Sequence, residues 1–190
     1  MSRYSQEEIE ESRLAIEKSA SELFRLKGYH GVGLAEITKS AGLTNGTFYA
    51  HFKSKRDLFE NIIVKTILGR GKFLENLKSP NGFEQAKKFV EMYLSAQHFQ
   101  NEKGGCLMPR LAGDLKEHGL EKYSSPKKYI DEFAEFLAST GLSKNDGQFI
   151  TASLIGTLVT ARTLPEKDGY LFLESNKKII IEYIKQKLEE

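Results

Sequence analysis

Cysteine and long apolar runs are scarce in this sequence. A single cysteine, Cys106, among 190 residues excludes an intramolecular disulfide and a multi-cysteine metal site. No run approaches the roughly 18 consecutive apolar residues that a membrane span needs. The first residues, Met1–Glu8, carry no apolar signal segment. We therefore expect a cytoplasmic protein without a membrane partner.

A large excess of charge of one sign is also lacking, since the formal net charge is only +2. That value does not by itself indicate nucleic-acid binding. The charge is unevenly distributed, because six residues between Leu23 and Arg56 are basic and Glu36 alone is acidic. A local basic surface suits a small polyanion-binding module joined to a second part. An ordinary solvated face fits the charge pattern equally well.

The composition and periodicity indicate a helical globular protein. The chain is 39% hydrophobic and 28% charged, which is typical of a soluble protein with one domain or two small ones. Apolar residues recur at spacings of three and four, the helical period. Capping boxes begin helices at Ser5, Ser54 and Ser143. We predict an all-α fold of about nine helices, near residues 5–28, 34–41, 44–51, 55–75, 83–94, 107–118, 126–137, 145–163 and 170–188.

Residues 34–56 contain the most informative pattern. Two short predicted helices are separated by a turn at Gly42, which is typical of a helix-turn-helix whose second helix lies in the DNA major groove. Ala41 allows the helices to cross closely, and we expect Phe48 and Phe52 to hold the second helix against the core. The opposite face of that helix offers hydrogen-bonding groups suited to base edges and phosphates: Asn45, Thr47, Tyr49 and His51.

Over about residues 10–67 the sequence resembles the tetracycline-repressor (TetR) family of one-component bacterial regulators. The resemblance is carried by these positions: Gly28-Tyr29, Glu36-Ile37, Ala41-Gly42-Leu43, Gly46-Thr47-Phe48-Tyr49, His51-Phe52, Lys55 and Leu58. It implies an N-terminal three-helix DNA-binding domain, here residues 1–54. A larger helical domain, here residues 55–190, is implied to bind a ligand and to dimerise.

The resemblance also implies DNA-binding roles for individual residues. Thr44 is expected to cap the second short helix and to touch a phosphate. Asn45, Gly46 and Thr47 are expected to face the bases. Contacts to the phosphate backbone are implied for Tyr49, His51 and Lys55, with Lys39 a weaker candidate. For Asn45, position alone leaves open whether the side chain reaches the groove.

One position departs from the family pattern. Gly33 stands where the family often has a threonine or serine that caps the first of the two short helices. Glycine is a passable cap, but a possible phosphate contact is lost with the hydroxyl.

The second domain is rich in aromatic and methionine residues, which suits an apolar effector pocket. Ordinary core packing explains the same composition. The candidate ligand-binding residues are Phe89, Met92, Tyr93, Cys106, Met108, Tyr129 and Phe133. Cys106 follows two glycines, has Lys103 and Arg110 nearby, and is a candidate oxidant or electrophile sensor. A buried cysteine that acts as a small hydrophobe is the alternative.

The last two predicted helices carry apolar stripes long enough for a four-helix interface with a second copy. Dimerisation is also what symmetric half-site recognition requires. The candidate interface residues are Phe149, Leu154, Leu158, Ile180 and Ile184. The two isoleucines fit the core of the chain itself as an alternative.

No sequence feature indicates catalysis. The chain has no recognisable nucleophile elbow, phosphate-binding glycine loop or paired catalytic carboxylates. His30, His98 and His118 lack partners at metal-ligand spacing, so we expect neither metal nor cofactor.

We predict a non-enzymatic homodimeric transcriptional regulator that binds a palindromic double-stranded DNA operator. Members of the resembled family are most often repressors. A small apolar ligand or modification of Cys106 is expected to release it, while an enzyme and an interaction module are the alternatives.

Overall fold

The computed structural model describes residues 5–101, 103, 106, 113–114 and 125–190, without the side chains of residues 67, 68, 70, 72, 125, 126 and 129. This part of the chain consists of helices and connecting turns and contains no strand, which confirms the predicted all-α class. Its helices are α1 (Gln6–Lys27), α2 (Leu34–Ser40), α3 (Asn45–His51), α4 (Lys55–Glu75), α5 (Gly82–Tyr93), α6 (Ala96–Gln100), α7 (Ser125–Ala138), α8 (Lys144–Thr163) and α9 (Glu166–Glu189).

Several helices begin and end where local sequence signals predict. At the start of α1, the Ser5 hydroxyl accepts from the backbone N–H of Glu8, and the Glu8 carboxylate accepts from that of Ser5. The same reciprocal pair, Ser143 and Asp146, begins α8. Gly42 has a φ of 70° after α2, a left-handed conformation that favours glycine. Short-range capping therefore sets these boundaries.

Of the predicted helix at 107–118, only residues 113 and 114 are described, and both are helical. Elsewhere the observed helices differ from the predicted ones in two places. The short helix α6, capped by the Ser95 hydroxyl, was not predicted. Helix α9 begins at Glu166, before the predicted start near residue 170, and includes Gly169. A Cβ at Gly169 would lie 2.6 Å from the carbonyl oxygen of Ala161, so this glycine allows two chain segments to approach closely and does not end a helix.

The chain divides into two compact units, each made of two segments: Met1–Thr66 with Glu102–Leu120, and Ile67–Asn101 with Glu121–Glu190. The division falls inside α4. The early part of α4 joins the first unit because Leu58 and Phe59 are fully buried there. The Phe59 ring packs edge-on against Phe24 of α1, with 5.1 Å between ring centroids.

The second unit is built around α8. Its neighbours in this unit are α7, α9 and the short α6, and α9 in turn packs on α5. A Cβ at Gly147 would lie 2.5 Å from the carbonyl oxygen of Ala134, so glycine is what lets α8 cross α7 closely. The fully buried apolar residues of this unit include Phe89, Leu94, Leu137, Ile150, Leu154 and Leu158. None of the described helices is long and apolar enough to cross a bilayer.

His98, half-buried in the second unit, gives a pH-dependent contribution to stability. Its Nδ1 donates to the carbonyl of Tyr93 at 2.6 Å. Arg162 donates to the carbonyls of His98 and Phe99 at 2.7 and 3.1 Å. Burial lowers the pKa of His98; the Tyr93 hydrogen bond opposes that shift, and the Arg162 charge adds to it. The folded chain therefore favours the neutral imidazole.

We expect the free energy of unfolding to fall as the pH drops below about 6.5, because the unfolded chain then binds a proton that folded His98 resists. The slope from this group is at most about 1.4 kcal/mol per pH unit, and its contribution vanishes above pH 6.5. Urea denaturation between pH 5 and 8 measures it. The control is His98→Asn, whose amide can still donate to Tyr93 but cannot titrate. Equal pH slopes in the two proteins would contradict the assignment.

Candidate nucleic-acid interface

Helices α2 and α3 form a helix-turn-helix with a buried side and an exposed side. The turn is closed by the N–H of Leu43, which donates to the carbonyl of Thr38 at 2.8 Å. Phe48 and Phe52 are 0% and 2% exposed, so they anchor α3 to the core as the spacing predicts. The side of α3 opposite these rings is consequently presented to solvent.

The exposed side of α3 carries polar groups close together. Thr44, Asn45, Gly46 and Tyr49 are exposed, and Thr47 is half-buried. The Thr44 hydroxyl accepts from the N–H of Thr47 at 3.2 Å. Thr44 therefore caps α3, as predicted. The two threonine hydroxyl oxygens are 3.0 Å apart. This end of α3 thus offers hydroxyl, amide and phenol groups to a partner.

Gly46 lies at the centre of this exposed group. A Cβ at this position would meet only the Thr44 hydroxyl oxygen, at an ordinary contact distance of 3.7 Å. Its φ is not in the positive range that favours glycine. Nothing inside the described chain therefore requires glycine here.

His51 is tied to α1 and does not point freely outward. Its Nε2 lies 2.7 Å from the Ser12 hydroxyl oxygen, and that hydroxyl also donates to the carbonyl of Ile9 at 2.8 Å. The tautomer of His51 sets which of the two atoms donates in this hydrogen bond. Ser12 was not found from sequence, because it lies 39 residues from His51 and no local signal marks it.

Lys55 holds the loop between α1 and α2. Its Nζ donates to the carbonyls of Tyr29 and Val32, both at 3.0 Å, and lies 4.1 Å from the centroid of the Tyr29 ring. Burial lowers the pKa of Lys55, and the carboxylate of Asp114 opposes that shift. Two of the three ammonium hydrogens are thus engaged within the fold.

Asp114 also contacts this loop directly. Its Oδ2 accepts from the backbone N–H of Tyr29 at 3.0 Å. The two residues are 85 positions apart, so sequence reasoning missed the contact. It joins the loop after α1 to a residue that lies eight positions after Cys106 in the sequence.

A groove of about 670 Å³ runs beside the exposed side of α3. Its lining combines the start of α1 with α3 and the turn before it: Glu8, Ile9, Ser12, Leu43, Thr44, Gly46, Thr47, Ala50 and His51. Lys39 is exposed on α2. Among the residues the structure describes, no three histidine, cysteine or acidic side chains are grouped to hold a metal.

Gly33 occupies the cap position of α2, and because it has no side chain, the first turn of the helix receives no side-chain hydrogen bond there. Its φ is −90°, and a Cβ there would meet nothing within 4 Å. We expect Gly33→Ser to raise the free energy of unfolding by a few tenths of a kcal/mol, because a hydroxyl can accept from the first turn. Urea denaturation measures this. Gly33→Ala is the control without the hydroxyl, and equal stability of the two variants would contradict the capping explanation.

The candidate effector residues lie partly in the core of the second unit. Phe89, Tyr93 and Phe133 are buried, and the Phe89 and Phe133 ring centroids are 5.1 Å apart. Met92 and Cys106 are half-buried. Met108 and the side chain of Tyr129 lie outside the described residues. Direct ring contacts agree with the alternative of core packing for the three aromatic residues.

Four of the five candidate dimer residues are buried within the single chain. Leu154, Leu158 and Ile184 are 0% exposed and Ile180 is 6% exposed within the single chain. Their side chains pack in the chain's own core and are not available to a second copy. Phe149 alone of the five is exposed. The apolar residues that are exposed on α8 and α9 include Phe149, Val159, Leu171 and Ile179.

Among the comparisons with known proteins, the match to a family model lies within the first unit. The family model described as bacterial regulatory proteins, tetR family, matches residues 16–62. The HTH-type transcriptional regulator AcrR of Shigella flexneri is 44% identical over 62 residues, which cover 33% of this chain and 29% of AcrR. The chain thus matches less than a third of that relative's length.

Two further comparisons extend over most of the chain. The uncharacterized HTH-type transcriptional regulator YxaF of Bacillus subtilis is 36% identical over 187 residues, covering 90% of this chain and 95% of YxaF. The structure is also similar to that of the TetR family regulator CifR in a cysteine mutant complexed with a 26-base-pair operator. That match has a TM-score of 0.62 and 19% identity, and it covers 86% of this chain and 94% of CifR.

Proposed function

The chain belongs to the TetR family of DNA-binding transcriptional regulators, and from that premise we propose that it represses transcription as a homodimer on a palindromic operator. The observation that carries this proposal is the exposed polar end of α3, whose Gly46 has no role inside the described fold. We propose no enzymatic activity, since the relatives are regulators.

In the proposed complex, α3 lies in the major groove. Asn45, Gly46 and Thr47 face base edges, where side-chain hydrogen bonds distinguish base pairs. Thr44 and Tyr49 hold the phosphate backbone, which positions the helix without carrying sequence information. Lys39, His51 and Lys55 are proposed to add phosphate contacts. CifR, which is similar in fold, forms a complex with a 26-base-pair operator, and this supports operator binding by such a fold.

An uncharged exposed stripe on α8 supports the proposed dimer. No charged residue occurs between Gly147 and Ala161, although Phe149, Gly156 and Val159 of this stretch are exposed. A surface helix normally carries charges on its solvent side. We propose that the stripe, together with the exposed Leu171 and Ile179 of α9, packs on a second copy about a twofold axis.

We further propose that a small apolar effector or modification of Cys106 releases the DNA. Asp114 lies eight positions after Cys106 in the sequence, and its contact with the backbone of Tyr29 reaches the loop beside α2, which is the link that we propose. Complete thiol modification, verified by mass spectrometry, should lower operator affinity, and Cys106→Ser should abolish that response. Unchanged affinity after modification would leave only the effector route.

Selection of bound duplexes from a random DNA library, with competitor DNA and at two salt concentrations, tests the function. We expect an enriched palindrome with half-sites about one helical turn apart and affinity that falls steeply with salt. Absence of enrichment has two explanations: a co-purified effector or a wrong assignment. Repeating the selection after denaturation and refolding, which strips bound ligand, separates them, and continued absence of enrichment contradicts the proposal.

A further inference from the structure

Asn45, the first residue of α3, has an amide whose orientation is held from inside the fold. The residue is exposed, but its Oδ1 accepts a hydrogen bond of 2.9 Å from the hydroxyl of Thr38. Thr38 lies on α2 and is only 3% exposed. The bond therefore crosses the turn of the helix-turn-helix and joins a buried group to one that faces the proposed DNA surface.

The Thr38 hydroxyl has a choice of acceptors but a single hydrogen. Its oxygen lies 3.2 Å from the carbonyl oxygens of Leu34 and Ala35, and 2.9 Å from Asn45 Oδ1. The Leu34 carbonyl already accepts the N–H of Thr38 in the helical pattern. Of the three contacts, the one with Asn45 Oδ1 is the shortest. If the hydrogen pointed elsewhere, the Thr38 hydroxyl oxygen and Asn45 Oδ1 would face each other at 2.9 Å with no hydrogen between them. The hydrogen therefore goes to Asn45.

This bond decides which amide atoms face outward. With Oδ1 turned toward Thr38, the Nδ2 group and its two hydrogens point away from the fold, so the exposed part of Asn45 donates only. An asparagine that pairs with adenine needs both atoms, because adenine offers a donor at N6 and an acceptor at N7. Guanine offers two acceptors, N7 and O6, which suit a donor-only amide.

We propose that Thr38 is a positioning residue that makes Asn45 a donor-only reader, selecting guanine over adenine at the base pair it faces. This inference rests on the proposed DNA-binding function. Its distinguishing feature is that a buried residue without access to DNA sets the base preference at one position of each half-site.

The test compares the base preferences of variants in the duplex selection described above. Thr38→Val removes the hydroxyl at similar volume, which frees the Asn45 amide to turn. We expect the guanine-to-adenine preference at one symmetric position to shift toward adenine by about fivefold or more, with other positions unchanged. Thr38→Ser keeps the hydroxyl and should keep the original preference. Asn45→Ala should lose the preference at that same position.

The outcomes separate this inference from the proposed function. If the unaltered chain enriches no operator, the proposed function fails before Thr38 is tested. If it enriches a palindrome but Thr38→Val leaves every base preference unchanged, the role of Thr38 is overturned. An Asn45-dependent preference for adenine in the unaltered chain overturns it as well. Thr38→Ala provides a second hydroxyl-free variant should the valine variant fold poorly, and circular dichroism checks the folding of each.

Discussion

Replacing Gly46 with leucine is expected to abolish specific operator binding while slightly stabilising the folded chain. The leucine has room within the protein, because a Cβ at this position meets only the Thr44 hydroxyl oxygen at 3.7 Å. Leucine also favours a helix over glycine, by about 0.5 kcal/mol at an exposed site. In the proposed complex, however, the leucine occupies the space through which the backbone of α3 approaches the bases. We expect affinity to fall toward the non-specific level, on the order of 10³-fold.

Two measurements on the same protein check this prediction. Fluorescence anisotropy with the selected operator gives the affinity, and urea denaturation gives the free energy of unfolding. Gly69→Leu is a matched control, since Gly69 is an exposed glycine in α4 with open space around it. Gly46→Ala should show a smaller loss. Full operator affinity of Gly46→Leu would show that DNA does not approach this part of α3.

The second large effect is expected at Gly156, within the uncharged stripe of α8. A Cβ there meets nothing within 4 Å in the single chain, so Gly156→Glu should fold normally. In a twofold-symmetric dimer the change places two carboxylates in one apolar interface, where unpaired charges are strongly disfavoured. We expect dissociation into monomers. Each monomer then binds one half-site alone, which lowers operator affinity on the order of 10³-fold.

Light scattering at micromolar concentration measures the molar mass, and anisotropy measures operator binding. Gly69→Glu is the control, because it introduces the same side chain at another exposed helical glycine. The control should stay dimeric and bind DNA as the unaltered chain does. A dimeric Gly156→Glu protein with normal affinity would place the interface elsewhere.

Much of the helix-turn-helix was predictable because its signals are local. The spacing around Gly42, the cap at Thr44 and the burial of Phe48 depend on residues a few positions apart, and the structure agrees with each. The apolar faces of α8 and α9 were also predictable from the sequence, but the surfaces that cover those faces were not. A helical period tells which residues share a face, and two apolar faces look alike whether the chain itself or a second copy covers them. For this reason the sequence placed Leu154 and Leu158 at the dimer interface, although they lie in the core.

The sequence by itself determined the fold class, the ends of several helices and the family, because these depend on short-range pattern and on a motif of fixed spacing. Only the tertiary structure decided what the functional side chains touch. Ser12 holds His51, and Thr38 orients the amide of Asn45. Asp114 reaches Tyr29 across 85 positions. Such contacts form between atoms that folding brings together, and their distances follow from how the helices pack, which no local propensity encodes.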